Sequence, residues 1–253
     1  APEARVQGRI RQPFAGRDFK MPRRDLGMTE PEVRHLLERY DGDIDNAFAS
    51  LARLLDQLAR SGQLARTLVI VSADHGESFG ERGQWDHSTT PYEELLRIPL
   101  FVRPPDELPR VPSVAATACQ IDFVPTVLDY LGLAVPAELP GQSLRPWIEG
   151  REVGAERLLL AECHGLTEWS CRRGPWKLIA KDDGSALRLF DLRDDRGEQR
   201  NLAEDPDHRA LAQQLASEGR ALREQLAKTR LGGPEGRLDS ALRARLEQLG
   251  YTD

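Results

Sequence analysis

Several features that would point to a particular class of protein are scarce in this sequence. Only 3 of its 253 residues are cysteine, and their unrelated spacings argue against a disulfide framework and a zinc site. The longest apolar runs have the length of a strand, so no helix is expected to span a bilayer. The 35 basic residues are outnumbered by 41 acidic ones, which argues against a nucleic-acid binder with a broad basic face. With 40% hydrophobic and 30% charged residues, the chain has the composition of a folded protein, and its length suits one large domain or two small ones.

The first half of the chain alternates helix and strand. Residues 1–28 are predicted to be loop, and Thr29 with Glu32 has the spacing of a capping box that opens a long amphipathic helix. Gly62 is predicted to end this helix. Residues 67–73 form a short β-branched run without alternation, typical of a strand covered on both faces of a parallel sheet. A second strand is predicted over residues 98–102 and a short helix over 122–131. The pattern indicates an α/β sheet.

The second half changes character after a segment rich in proline and glycine, residues 133–150. Four short strand candidates with turns between them fill residues 157–193, which predicts a small antiparallel sheet. Pro206 is expected to open a final amphipathic helix, and a leucine-striped segment over 238–249 closes the chain. We therefore place a domain boundary between 150 and 151.

Chemistry-bearing residues cluster directly after the first predicted strand. Asp74 and His75 would lie at the carboxyl end of that strand, where open α/β sheets bind ligands. Gly76 would let the chain turn sharply enough for both side chains to reach one ion. A carboxylate beside an imidazole is a plausible half-shell for a divalent cation. The alternative is a charged loop in which His75 is satisfied by a backbone carbonyl.

At this point the sequence resembles the sulfatases of the alkaline phosphatase superfamily. The metal-binding segment of that family is similar to VIVSADHGESFGERGQWDHSTTPYEELLRIPLFVRPP, and the helix before it to TEPEVRHLLERYDGDIDNAFASLARLLDQL. Further segments match in order: QIDFVPTVLDYLGL, LPGQSLRPWIEG, WKLIAKDDGSALRLFDLRDDRGEQRNLAEDP and the terminal RLEQLGY. The resemblance implies an alkaline-phosphatase-like sheet sandwiched by helices, present in part over residues 1–150. A small C-terminal α+β subdomain with an antiparallel sheet and terminal helices would then occupy residues 151–253.

The resemblance also implies roles for individual residues. Asp74 and His75 match the residues that bind one divalent cation, usually Ca²⁺, with Mn²⁺, Mg²⁺ or Zn²⁺ as alternatives. His87 falls where many members place a Lys that contacts the sulfate oxygens, so we expect it to bind substrate or to act in catalysis by protonating the leaving oxygen. It could instead be an exposed loop histidine. Tyr92 and its neighbours Thr90 and Glu93 are expected to orient the loop.

Arg97 falls in the same segment and could contact an anion. An ion pair with Glu93, four residues earlier, is the preferred interpretation.

The nucleophile motif of the sulfatases is absent from this sequence. Family members make a formylglycine from Cys or Ser in a Cys/Ser-x-Pro/Ala-x-Arg motif, and none of Cys119, Cys163 and Cys171 lies in one. All three are interpreted as packing or surface thiols. We therefore expect a truncation upstream of residue 1, a chain that is inactive alone, and a catalytic partner in the missing N-terminal part of its own domain.

Three functions remain open. The first is hydrolysis of a sulfate monoester, on a small molecule or a saccharide. The second is phosphoryl transfer, as in the phosphodiesterases, phosphonate monoester hydrolases and phosphoglycerol transferases of the same superfamily. The third is a non-catalytic remnant of the fold. The sequence assigns no compartment, since any signal peptide would precede residue 1.

Overall fold

The computed structural model describes residues 27–87, 90–151, 156–163 and 167–228. The predicted leucine-striped segment over 238–249 lies outside these ranges, as does all but the end of the loop predicted for 1–28. Among the described residues, no helix is both long and apolar enough to cross a membrane.

Helix α1 runs over Glu30–Arg60 and confirms the predicted boundaries. The carboxylate of Glu32 accepts hydrogen bonds from the backbone N–H and the hydroxyl of Thr29, both at 2.8 Å. Gly62 follows the helix in the left-handed conformation, with φ of 69°. The apolar stripe of α1 is largely exposed, although an amphipathic helix normally buries such a stripe. Its exposed members are Leu37, Tyr40, Ile44, Phe48 and Leu54.

The strand expected in a parallel sheet has a different partner. β1 (Val69–Ser72) pairs antiparallel with β4 (Leu100–Arg103), so the expectation of parallel pairing is wrong for the described residues. Both strands are only partly buried, and Phe101 is 59% exposed. A β-branched run reports strand propensity and apolar surroundings, but it carries no information on the direction of the neighbouring strand.

The segment between β1 and β4 folds into small elements. A two-stranded hairpin joins β2 (Ser78–Phe79) to β3 (Trp85–Asp86), and a single helical turn, α2 (Glu93–Leu96), follows. After β4 come the predicted helix α3 (Phe123–Tyr130) and a short helix α4 (Arg145–Ile148).

The C-terminal half contains the predicted small sheet. Its four strands are antiparallel and neighbour each other in chain order: β5 (Leu159–Glu162), β6 (Glu168–Arg173), β7 (Trp176–Lys181) and β8 (Arg188–Asp191). Helix α5 (Arg209–Lys228) packs on this sheet. The core between them is formed by fully or nearly fully buried side chains, among them Trp169, Cys171, Leu178, Leu189, Ala212 and Leu215.

Helix α5 begins three residues later than expected. Asp205 opens a turn in which its carbonyl accepts the N–H of His208 at 3.0 Å and its carboxylate accepts the N–H of Asp207 at 2.9 Å. The aspartate therefore stabilises a turn that precedes the helix. The α/β fold class, with a C-terminal sheet and helix, is confirmed, whereas the domain boundary between 150 and 151 stays a prediction.

Candidate active site

The turn after β1 is held against the helical turn α2. The N–H of Gly76 donates to the carbonyl of Leu95 at 2.8 Å. A Cβ atom on Gly76 would lie 1.9 Å from the carbonyl oxygen of Glu94, closer than any side chain tolerates. Glycine is thus required here because two stretches of backbone approach each other. The sequence had instead suggested that Gly76 serves to let the chain turn sharply.

Asp74 and His75 lie side by side in this turn. Oδ2 of Asp74 is 3.8 Å from Nε2 of His75, and Oδ1 of Asp74 accepts the backbone N–H of His75 at 2.9 Å. Two atoms 3.8 Å apart can both reach one ion, since cation–ligand bonds are about 2.0 to 2.6 Å long. Both side chains are partly or largely exposed, which leaves room for further ligands.

The ring of His75 is oriented by the backbone. Its Nδ1 lies 2.7 Å from the carbonyl oxygen of Gly76, so the neutral ring donates from Nδ1 and keeps its lone pair on Nε2. A backbone carbonyl that fixes the tautomer in this way is the usual support of a metal-binding histidine. The two interpretations of His75 are therefore compatible. Its Nδ1 is satisfied by a backbone carbonyl, and its Nε2 is left to bind a metal ion. The residues present fit a divalent cation.

His87 stacks directly on His75. The two ring centroids are 4.2 Å apart with 24° between the ring planes. Nδ1 of His87 contacts Asp86 Oδ1 at 2.8 Å and Glu77 Oε2 at 3.5 Å. The hydrogen bond with Asp86, followed by that with Glu77, raises the pKa of His87 to about 10. The structure thus brings the three residues predicted from the sequence, Asp74, His75 and His87, into one place.

Glu77, Asp86 and His87 are also close enough together to hold an ion by themselves. Their ligand atoms lie within 4.8 Å of one another. Since Nδ1 of His87 already contacts both carboxylates, an ion there would replace the proton that this ring nitrogen shares with them.

The loop that carries His87 is a compact hairpin. The indole of Trp85 packs on Gly80, where a Cβ atom would lie 2.9 Å from the ring. Arg82 and Asp86 adopt the left-handed conformation, with φ of 55° and 73°. Such backbone strain is found where the surroundings hold a segment in one conformation.

Two of the residues predicted to orient the loop, Tyr92 and Glu93, contact the C-terminal sheet. The hydroxyl of Tyr92 accepts a hydrogen bond from Arg188 at 2.8 Å, and the guanidinium of Arg82 lies 3.8 Å from the Tyr92 ring centroid. The expected ion pair between Glu93 and Arg97 is wrong. The Glu93 carboxylate is instead bound by Lys177 of β7, because Glu93 packs against side chains of the C-terminal sheet.

Gln120 is a contributor that sequence reasoning missed. Its side-chain amide donates to the carbonyls of Ala73 at 3.0 Å and of Asp74 at 2.7 Å. It therefore clamps the backbone of the turn that carries Asp74 and His75, the candidate metal-binding turn. No local signal marks it, because it lies 46 positions further along the chain.

A cleft of about 940 Å³ opens beside these residues. Its lining includes Asp74 and His75 together with Arg172 and Lys177 of the C-terminal sheet. The free cysteine Cys163 also lines the cleft, and burial raises the pKa of its thiol to about 11, so it is not a ready nucleophile.

Known families match nearly the whole of the chain. The sulfatase family matches residues 7–133, and the family described as N-sulphoglucosamine sulphohydrolase, C-terminal, matches residues 80–225. The chain belongs to the sulfatase family. The two matches overlap over residues 80–133, which include His87, whereas Asp74 and His75 lie within the sulfatase match alone.

Two curated sulfatases illustrate the similarity. Choline-sulfatase of Rhizobium meliloti is 32% identical over 190 residues, which cover 72% of this chain and 36% of that protein. Arylsulfatase K of mouse is 30% identical over 190 residues, covering 69% of this chain and 34% of that protein. The chain spans about a third of the length of these relatives.

Solved sulfatase structures share the fold. A 2-O glycosaminoglycan sulfatase has a TM-score of 0.66 at 22% identity, covering 80% of this chain and 45% of that one. A structure described as a complex with its substrate D-glucosamine-2-N,6-O-disulfate has a TM-score of 0.55 at 25% identity, covering 74% and 39%. The phosphonate monoester hydrolase of Agrobacterium radiobacter has a TM-score of 0.62 at 25% identity, covering 78% and 43%.

Proposed function

We propose that this sequence supplies part of the metal and sulfate site of a sulfuric ester hydrolase. The proposal is supported above all by the contact between His75, one of the two candidate metal ligands, and His87, the candidate anion-binding residue. The stacked rings place His87 beside Asp74 and His75 in a chain that belongs to the sulfatase family.

In this proposal Asp74 and His75 hold one divalent cation through Oδ2 and Nε2. The family favours Ca²⁺, whereas the imidazole nitrogen also suits Mn²⁺ or Zn²⁺. When bound, the cation would neutralise part of the charge on the ester. Asp74 is aligned by the backbone clamp of Gln120 and His75 by the Gly76 carbonyl, so both reach the ion in fixed orientations.

His87 is proposed to bind the ester oxygens and to protonate the leaving oxygen. Its Nδ1 is engaged by Asp86 and Glu77, which leaves Nε2 as the nitrogen that can face a substrate. The strained backbone at Asp86 and the buried Trp85 fix the end of the hairpin, so His87 is presented from a rigid support.

The nucleophile has no counterpart among these 253 residues, since the sequence lacks the Cys/Ser-x-Pro/Ala-x-Arg motif. We therefore derive no attack step. The 253 residues assayed by themselves with an aryl sulfate and Ca²⁺ are expected to give no turnover above background. Turnover would contradict the assignment of the nucleophile to another stretch of polypeptide.

A sulfated saccharide is the proposed substrate class. One of the similar structures is described with a glucosamine disulfate as its substrate, and one similar curated protein is an N-acetylglucosamine-6-O-sulfatase. The cleft suits such a substrate because the exposed residue Arg97, whose guanidinium carries positive charge, lines it together with Asp74 and His75. The overall charge of −6 would repel an anion, so local positive charge must attract it.

Phosphoryl transfer is the second candidate. It is favoured by the similarity to two phosphonate monoester hydrolases, at 26% and 25% identity. The metal pair and His87 suit either ester, since both present anionic oxygens to a cation.

Cation binding tests the metal pair. Isothermal titration of the chain with Ca²⁺ and with Mn²⁺ should give one site, which Asp74→Asn weakens at least about tenfold because the ligand charge is lost. Asp56→Asn, an exposed change on α1, is the matched control and should leave binding unchanged. Equal binding by wild type and Asp74→Asn would overturn the assignment.

Activity of the complete gene product distinguishes the two esters. Assays with an aryl sulfate and a phenyl phosphonate, each with and without chelator, should give metal-dependent cleavage that favours the sulfate. His87→Ala should lower kcat by roughly two to four orders of magnitude, the usual contribution of an acid–base group. His208→Ala, on the C-terminal surface, is the control. Preferred cleavage of the phosphonate would favour the second candidate.

A further inference from the structure

A buried cluster of charged side chains joins α2 to the C-terminal sheet. Lys177 on β7 is 1% exposed, and its Nζ lies 2.8 Å from Oε1 of Glu93 and 2.8 Å from Oε1 of Glu198. The side chain of Glu198 is fully buried, and Arg172 adds a contact to Glu93 at 3.5 Å. Lysine is almost never fully buried unless paired, so this arrangement has a specific cause.

The cluster fixes the start of α2 at two points. Besides the pair between Lys177 and Glu93, the backbone N–H of Glu93 donates to Oε2 of Glu198 at 2.7 Å. Glu198 itself sits in a left-handed conformation with φ of 51°, which indicates that its position is imposed by the surrounding contacts.

The far end of α2 holds the metal-binding turn. Leu95 accepts the N–H of Gly76, and the backbone of Gly76 lies against the carbonyl of Glu94 with no space for a side chain. A continuous path of contacts therefore runs from Lys177, through Glu93 and the four residues of α2, to the turn of Asp74 and His75.

Stability alone does not account for such a cluster. Taking three charges out of water is expensive, and well-packed apolar residues often stabilise a protein as much as a buried ion cluster does. What the charges add is orientation, because carboxylates and an ammonium accept few alternative geometries when they are buried. α2 can therefore pack on the sheet in only one position, and this position determines where the metal-binding turn lies.

We propose that Lys177 is a positioning residue for the metal-binding turn, acting through Glu93 and α2 from the C-terminal sheet. The expected effect on cation affinity rests on the proposed function. The effect on the position of the turn rests on the contacts alone. In this view the C-terminal sheet sets the geometry of a site that it supplies with no metal ligand.

Hydrogen exchange of the 253-residue chain tests this link without any need for catalysis. Lys177→Met removes the cation that the carboxylates of Glu93 and Glu198 share, so the amide of Gly76 and the amides of residues 92–97 should exchange at least about tenfold faster. Glu198→Gln is the milder variant, because Lys177 keeps Glu93, and it should give a smaller rise in the same amides. It also serves if Lys177→Met fails to fold.

A matched control separates positioning from lost stability. Leu215→Ala removes a buried side chain from a core cluster that includes no residue of α2, and it is compared at equal loss of thermal stability. It should leave exchange at Gly76 within about twofold of wild type, because local opening there does not depend on that core. An equal rise at Gly76 in Leu215→Ala, or none in either cluster variant, would overturn the proposal.

Titration with Ca²⁺ distinguishes this proposal from the proposed function. Lys177→Met should weaken Ca²⁺ binding at least fivefold or so, in step with the exchange at Gly76. A wild-type chain that binds no cation, but whose Gly76 amide responds to Lys177→Met, refutes the metal site and keeps the positioning role. A chain that binds Ca²⁺ equally with and without Lys177 refutes the positioning role and keeps the metal site.

Discussion

The two regions of the molecule divide stability and chemistry between them. In the C-terminal region, residues 156–228, a four-stranded sheet and α5 enclose a core in which Trp169, Leu178 and Leu189 are fully buried. In the N-terminal region, residues 27–151, the apolar stripe of α1 and the strand residue Phe101 are exposed, yet all three predicted site residues lie there. The difference teaches that a functional site can be supported from a neighbouring region, here through α2.

The largest expected effect concerns the packed region. Trp169→Ala removes a fully buried indole from the core, which should lower the free energy of unfolding by about 3 to 5 kcal/mol, as deletion of a buried aromatic side chain does. Urea unfolding followed by circular dichroism measures it. A loss under about 1 kcal/mol would mean that this core is less tightly packed than its burial indicates.

A glycine-to-alanine substitution should change the free energy of unfolding in opposite directions in the two regions. Gly219 lies inside α5, and a Cβ atom there would be 2.4 Å from the Trp169 ring, so Gly219→Ala should destabilise by about 1 to 3 kcal/mol through overpacking. Gly42 lies inside α1 with nothing within 4 Å, so Gly42→Ala should stabilise by roughly 0.5 to 1 kcal/mol through helix propensity. Thermal unfolding of both variants gives the comparison, and equal signs would contradict it.

A smaller effect is expected where Gln120 clamps the candidate metal-binding turn. Gln120→Met keeps the shape of the side chain but removes both donors to the backbone at Ala73 and Asp74. An exposed hydrogen bond contributes about 1 kcal/mol, so the Kd for the cation should rise roughly fivefold. Calorimetric titration measures this, with the exposed change Gln57→Met on α1 as the control. Unchanged affinity would show that the turn keeps its shape without the clamp.

The smallest effect is expected on the exposed stripe of α1. Phe48 is 50% exposed, so Phe48→Ala should change the free energy of unfolding by no more than about 0.5 kcal/mol, typical of surface substitutions. Denaturant unfolding beside Trp169→Ala gives a matched pair of aromatic deletions. A loss of several kcal/mol would mean that α1 is covered in solution and that the contrast between the regions is smaller.

Local signals in the sequence predicted most of the helices and strands, whereas the roles of the site residues stay predictions. The capping box at Thr29, the turn glycines and the spacing of the four short strands depend on neighbours within a few positions, and the structure confirms them. Asp74, His75 and His87 were recognised through a resemblance, and their meeting in one place follows from the turn and the hairpin between them.

The contacts that support the site could not be predicted in the same way. Glu93 binds Lys177, which lies 84 positions away, and Gln120 reaches the backbone 46 positions back. Helix periodicity favoured a local ion pair of Glu93 with Arg97, but burial against the C-terminal sheet outweighed this exposed alternative. The antiparallel partner of β1 was missed for a similar reason, because strand direction depends on tertiary connections.

The stacked imidazoles of His75 and His87 would couple the binding of the proposed cation to the binding of the proposed ester. Two rings in van der Waals contact cannot reorient independently, so an ion that fixes His75 also restricts His87. By thermodynamic linkage, the factor by which the ion changes the affinity for the ester equals the factor by which the ester changes the affinity for the ion. A metal titration in the presence of a non-cleavable anion would therefore report on both ligands at once.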